Sequence, residues 1–120
     1  MIRGDVFDAR LSPTEGSEQA GTRPVVIVSR NAINQNSPVV VIVPLTDAAN
    51  VKRAYPNNVP IPAREGGLSL DSVALAGQVR AIAVSRLLRR RGALSADTIR
   101  AIDRALRITL EELVVRRCAR

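Results

Sequence analysis

Two runs of β-branched residues, Val25 to Val28 and Val39 to Val43, constrain this chain most. β-Branched side chains are stiff at χ1 and pack well on a pleated surface, and neither run alternates with polar residues. Both therefore predict strands buried on their two faces, which requires a sheet with apolar packing on each side. Neither run approaches the length of a membrane span. A chain of 120 residues suits one domain and not two.

The punctuation around these runs reads as an antiparallel β region followed by helix. Arg3 to Leu11 predicts a first strand, ended by Ser12-Pro13. The segment Ser12 to Thr22 is a long loop between strands, and long loops inside compact domains are often functional. Asn31 to Pro38 is the turn between the two valine strands. Asp47 to Gly67, with three Pro and Asn57-Asn58, reads as loop around a short edge strand near Val59 to Ile61. Val73 to Ile82 predicts one strand, with Val73, Leu75, Val79 and Ala81 on one face and Gln78, Arg80 and Ile82 on the other. Val84 to Arg91 predicts a short helix whose Arg89-Arg90-Arg91 end is stopped by Gly92. Ser95 then caps a longer helix, with Asp97 in its first turn and Ile99, Ile102, Leu106, Leu110 and Leu113 at helical spacing. The expected fold is mainly β, an α+β chain in which residues 1–83 form a small curled sheet or barrel and residues 84–120 a helical C-terminal part.

Composition removes whole classes of chemistry. The chain has no His and no Trp, and Cys118 is its only cysteine, so neither a His/Cys metal cage nor a Ser-His-Asp triad is available. No cofactor or metal is expected. One Cys also forms no internal disulfide, and with no signal peptide or membrane run the expected location is the cytoplasm. The 18 basic residues outnumber 11 acidic ones, giving a net charge of +7, and all but Lys52 are Arg. Guanidinium forks match phosphate and carboxylate geometry, so the balance suggests a nucleic acid or an acidic protein as partner.

Few side chains stand out alone. Glu18 and Arg23 bracket Gly21 at the end of the long loop, where the residue before Pro24 is held extended, so a carboxylate and a guanidinium can converge. Taken alone, a loop Glu near an Arg is more often a surface ion pair, and that reading is favoured for these two. Thr46 ends a valine strand, where its hydroxyl either caps a turn or faces a cleft. Gln78 and Arg80 share a strand face and are also compatible with simple solvent exposure. Gly66-Gly67 lacks the Lys-Ser/Thr of a nucleotide loop.

Taken in order, these stretches resemble the MazF/PemK family of toxin endoribonucleases. Arg3-Gly4-Asp5-Val6 resembles the family's first strand, and Ser12-Pro13-Thr14 with Gly16 to Pro24 resembles its signature loop. Val43-Pro44-Leu45-Thr46 resembles its Pro-x-Thr strand end, and Asp71-Ser72-Val73 with Gln78-Val79-Arg80 resembles the strand near its RNA groove. The chain departs from the pattern at Ser12, where many relatives have Asp, and at Gly77, where some have an acid before the Gln.

The resemblance implies an SH3-like, CcdB-like β-barrel with C-terminal helices, a homodimer, cleavage of single-stranded RNA without metal, and an acidic MazE-like antitoxin. It assigns catalysis to Arg23, Thr46 and Glu18, and RNA contacts to Gln19, Gly21, Thr22, Gln78 and Arg80. A guanidinium is a poor acid, so charge stabilisation is the larger expected part for Arg23. With only Phe7 and Tyr55 as aromatics, sequence recognition is expected to rest on hydrogen bonds and shape more than on base stacking. Two alternatives stand beside this: a non-catalytic nucleic-acid-binding barrel, and a gyrase-directed toxin of the same fold, which the absence of Trp disfavours.

Overall fold

In the computed structural model, which describes residues 1–11 and 21–110, the chain forms seven strands in one antiparallel sheet and one long helix. In chain order these are β1 (Asp5–Arg10), β2 (Thr22–Ile27), a short helix α1 (Asn31–Asn36), β3 (Val39–Asp47), β4 (Asn58–Ile61), β5 (Ser72–Leu75), β6 (Arg80–Ala83), β7 (Leu87–Ala93) and α2 (Ala96–Thr109). The strand order is β4-β5-β3-β2-β1-β7, with β6 also paired to β3. The valine runs are the middle of this sheet, β2 and β3, in the register Val25 to Pro44, Val26 to Val43 and Ile27 to Ile42.

Strand alternation sends their side chains into two cores. Val26, Val43 and Leu45 join Val6, Val59, Ile61, Leu68, Ile102 and others beneath α2. Val25, Ile27, Val40 and Ile42 join Ala9, Leu11 and Ile82 on the opposite face. Helix α2 covers the first core. The second is covered by the sheet's own curl, because Ile82 from β6 and Leu87 from β7 reach the same cluster. The curl stops short of closure: the described pairings leave β4 and β7 as ends, so the expected barrel is an open sheet.

Two further expectations are corrected. Val73 to Ile82 is not one strand. β5 and β6 both pair along the same edge of β3, but β3 advances only from Leu45 to Ile42 while its partner advances from Ala74 to Arg80. The excess is taken up by a 3-10 turn at Ala76–Gln78, opposite the place where Pro44 has no N–H for the ladder. The predicted face assignment breaks there as well, since Ala81 is exposed and Ile82 is buried.

Nor is Val84 to Arg91 helical, so the boundary between sheet and helical part lies near Ser95 and not after residue 83. A 3-10 turn at Val84–Arg86 leads into β7, which pairs with β1 from Asp5-Ala93 to Ala9-Leu87. Its hydrophobic spacing fits a helix, but β1 supplies what the arginines need. Asp5, 3% exposed, accepts from Arg90 at 3.1 Å, and Asp8 meets Arg91 at 3.2 Å and Arg89 at 3.6 Å. Gly92 permits the second condition, a close backbone approach: a Cβ there would stand 2.8 Å from the carbonyl carbon of Gly66. The glycine pair therefore serves packing against β7.

Ser95 caps α2 as expected, accepting from the Thr98 N–H at 3.2 Å. The cap is extended by Glu65, whose Oε2 accepts from both the N–H (3.1 Å) and the hydroxyl (3.2 Å) of Ser95. Burial alone raises the Glu65 pKa, but hydrogen bonds from Thr98 and from the Ser95 N–H and hydroxyl together outweigh it and hold it below the ordinary carboxylate value. At the helix's other end, Asn57 Nδ2 donates to Thr109 Oγ1 at 3.2 Å and ties the β3–β4 connection to α2. Leu113 and Cys118 lie outside the described residues.

Candidate active site

Thr46 is the centre of the site because β3 runs on past its pairing with β2 and carries the residue between two clefts. Its backbone is held opposite Val73 of β5, and the residue is 5% exposed, with Oγ1 accepting from Asn50 Nδ2 at 3.3 Å. The larger cleft, about 560 Å³, runs from Thr46 along the β3–β4 connection (Asn50 to Asn57) and Asn58 of β4 to Leu75, Gly77 and Gln78. The smaller, about 170 Å³, runs from Thr46 and Asp47 to Arg23, Pro24, Leu68 to Leu70, Ser72 and Arg91. Thr46 thus lines both. Asn50 holds the hydroxyl, while the capping of the 3-10 turn at Ala48–Asn50 falls to Asp47, which accepts from the Ala49 N–H at 2.9 Å.

Arg23 enters from the start of β2, where it pairs opposite Ala9 and where Pro24 fixes the extended backbone. Its side chain is exposed and borders the smaller cleft. Gly21 and Thr22 lie just before it, Gly21 with a φ of +74° and its carbonyl accepting from Leu11 N at 2.9 Å. Thr46 therefore shares the smaller cleft with Arg23 and the larger with Gln78, which the 3-10 turn that breaks the β5–β6 strand carries there. Arg80 borders neither cleft. It pairs opposite Ile42, and its Nη1 donates to the Leu11 carbonyl at 3.4 Å, at the root of the β1–β2 connection. Glu18 and Gln19 lie outside the described residues.

A residue absent from the sequence-based set belongs here as well. Arg91, expected at a solvated helix end, borders the smaller cleft with Arg23. Its guanidinium is fixed by Asp8 at 3.2 Å and by the Gly67 carbonyl, which accepts from Nη2 at 3.0 Å and from Nε at 3.3 Å. Two arginines and a threonine lining one cleft are residue types that suit a phosphodiester, since guanidinium groups can attract and clamp the anion and a hydroxyl can donate to a phosphoryl oxygen. Lys52 and Arg53 add positive charge to the larger cleft, and Asn50, Asn57, Asn58 and Gln78 line it with carboxamides. The only sequence signal for this set was the polar, proline-punctuated connection after Thr46. Among the described residues, no three His, Cys, Asp or Glu side chains come together as metal ligands, and no helix is long and apolar enough to cross a membrane.

Fold and clefts together define a small antiparallel β domain in which Thr46 lines two adjoining clefts, the smaller with Arg23 and Arg91 and the larger with Lys52 and Arg53. Residues 2–110 match the PemK-like, MazF-like toxins of type II toxin-antitoxin systems, and the chain belongs to that family. It is 42% identical over 108 residues to the endoribonuclease MazF of Staphylococcus epidermidis, covering 90% of this chain and 89% of that one. Among solved structures it is similar to a MazF from Deinococcus radiodurans, with a TM-score of 0.78 and 26% identity over 92% of this chain and 96% of the other. A mycobacterial endoribonuclease solved in complex with its cognate antitoxin superposes with a TM-score of 0.77 and 26% identity, over 93% and 96% of the two chains.

Proposed function

We propose that this toxin is a sequence-specific endoribonuclease that cleaves single-stranded RNA without metal, leaving a 2′,3′-cyclic phosphate and a 5′-hydroxyl. The observation that carries the reading is the position of Thr46 between the arginine-lined cleft and the amide-lined one. A strand laid across that hydroxyl presents its scissile phosphate to Arg23 and Arg91 and its bases to the carboxamides.

In this reaction the ribose 2′-oxygen attacks phosphorus, its proton leaves, and the 5′-oxygen departs with a proton gained. Negative charge builds on the phosphoryl oxygens in the transition state, where preorganised cations and donors act most strongly. Arg23 supplies the clamp and Arg91, held by Asp8 and the Gly67 carbonyl, a second fixed positive charge. Thr46 donates to a phosphoryl oxygen. Glu18, five residues before Arg23 in sequence, either takes the 2′-hydroxyl proton or orients Arg23; Glu18→Gln separates these, because only proton transfer leaves its mark on the pH-rate profile. The absence of His supports this division of labour, since no imidazole is there to act as acid or base.

The same reading assigns a cytoplasmic homodimer and an acidic, partly disordered antitoxin segment that lies over the cationic clefts and folds as it binds. End-group analysis of the cleaved RNA tests the chemistry. Fragments that polynucleotide kinase labels directly at the 5′ end, and that end in a cyclic phosphate, are expected; 5′-phosphate ends contradict it.

A further inference from the structure

The larger cleft holds an arrangement that phosphate chemistry at Thr46 does not use. Of the chain's two aromatic rings, Phe7 is packed against the second core, whereas Tyr55 is 51% exposed and lines the cleft. The guanidinium carbon of Arg53 stands 6.0 Å from the Tyr55 ring centroid, with Nη1 3.5 Å from the phenolic oxygen. An exposed ring beside a planar cation is the composition of a stacking platform for a nucleobase. The backbone around it is anchored, since Asn58 N–H donates to the Tyr55 carbonyl at 3.0 Å and Asn57 is tied to α2 through Thr109.

The opposite requirement, something to read a base edge, is met in the same wall. The Asn50 carboxamide is committed to Thr46 and that of Asn57 to Thr109. The half-buried Asn58 carboxamide borders the cleft and has no hydrogen bond to another described residue. A carboxamide offers one donor pair and one acceptor, the complement of a base edge. At about 560 Å³ the cleft is of the size that takes a small-molecule ligand, ample for one nucleoside.

We propose that this cleft is a nucleobase subsite next to the scissile phosphate, in which Tyr55 stacks on one unpaired base, Asn58 reads its edge, and Lys52 and Arg53 hold the adjoining phosphate. The proposal rests on the ribonuclease reading and deepens it by locating one position of the recognition sequence. It also revises the expectation that stacking contributes little: one platform suffices for one base.

The chain has a single Tyr and no Trp, so its intrinsic fluorescence reports on Tyr55 alone. Mixed-sequence single-stranded 2′-O-methyl RNA, which lacks the attacking hydroxyl, is titrated into the full chain. The emission is expected to be quenched at saturation. In the same assay, read by a label on the RNA, Tyr55→Ala weakens binding roughly tenfold to a hundredfold and Tyr55→Phe stays within about twofold, as expected for stacking. With cleavable RNA, Asn58→Asp changes the preferred base at one position of the cut site. Unquenched emission at saturation, or wild-type affinity in Tyr55→Ala, overturns the subsite while cleavage by the wild type leaves the ribonuclease reading intact. If the wild type neither binds the analogue nor cuts RNA, both fall together.

Discussion

Gly67 and Gly21 have the same backbone conformation, φ of +74°, but different surroundings, and the pair isolates what close packing against β7 contributes. A Cβ on Gly21 meets nothing within 4 Å, so Gly21→Ala costs only the left-handed conformation, about 1–2 kcal/mol. A Cβ on Gly67 stands 2.1 Å from the Arg91 carbonyl oxygen, a backbone atom that moves only if β7 moves. Overpacking of this kind adds about 1–3 kcal/mol, bringing Gly67→Ala to about 2–5 kcal/mol. A domain of this length holds about 6–18 kcal/mol in all, so the variant folds but with a large share of its margin gone. Urea unfolding followed by circular dichroism measures both variants, with unchanged m-values certifying that only stability has shifted. Gly67→Ala is expected to lie at least about 1 kcal/mol below Gly21→Ala. Equal losses would refute the claim that the Glu65–Gly67 turn is pressed against β7. Because the Gly67 carbonyl also holds Arg91, the folded fraction of Gly67→Ala is expected to cleave RNA more slowly.

Further outcomes follow from the same geometry. Ser95→Ala removes the α2 cap and its bond to Glu65, costing about 1 kcal/mol, or about 4 °C in a thermal melt. Glu65 has a lowered pKa, so its contribution is complete above its unfolded value and is lost as pH falls through the folded one. The stability gap between wild type and Glu65→Gln is therefore expected to be full at neutral pH and to shrink with acid below about pH 4.5, read from melts across that range. Thr46→Val keeps the shape of the side chain and removes the hydroxyl, and its cleavage rate is expected to fall about a hundredfold in single-turnover kinetics with folding intact.

Much of the fold was legible in the sequence. The valine runs announced central strands with a core on each face, and Ser95 with its spaced leucines and isoleucines announced α2. Local pattern failed where long-range partners decide. Residues 84–91 have helix-compatible spacing, yet Asp5 and Asp8, far away in sequence, draw Arg89 to Arg91 into a strand. The break between β5 and β6 was hidden because it answers to Pro44 on the neighbouring strand. In the site, Thr46 and Gln78 were marked by family motifs and do lie together. Arg80 was marked by the same motif and points elsewhere. Arg91 and Tyr55 carry no motif, and only folding places them at the clefts.

On the proposed function, cleavage is performed by Arg23, Arg91 and the Thr46 hydroxyl with no help from a metal. The most direct test incubates the purified chain with long mixed-sequence RNA in EDTA and maps new 5′ ends, with Arg23→Ala run in parallel. Discrete cuts by the wild type that vanish in Arg23→Ala, a variant that still folds, are the expected result. Cuts that require added magnesium, or that persist in Arg23→Ala, would contradict it.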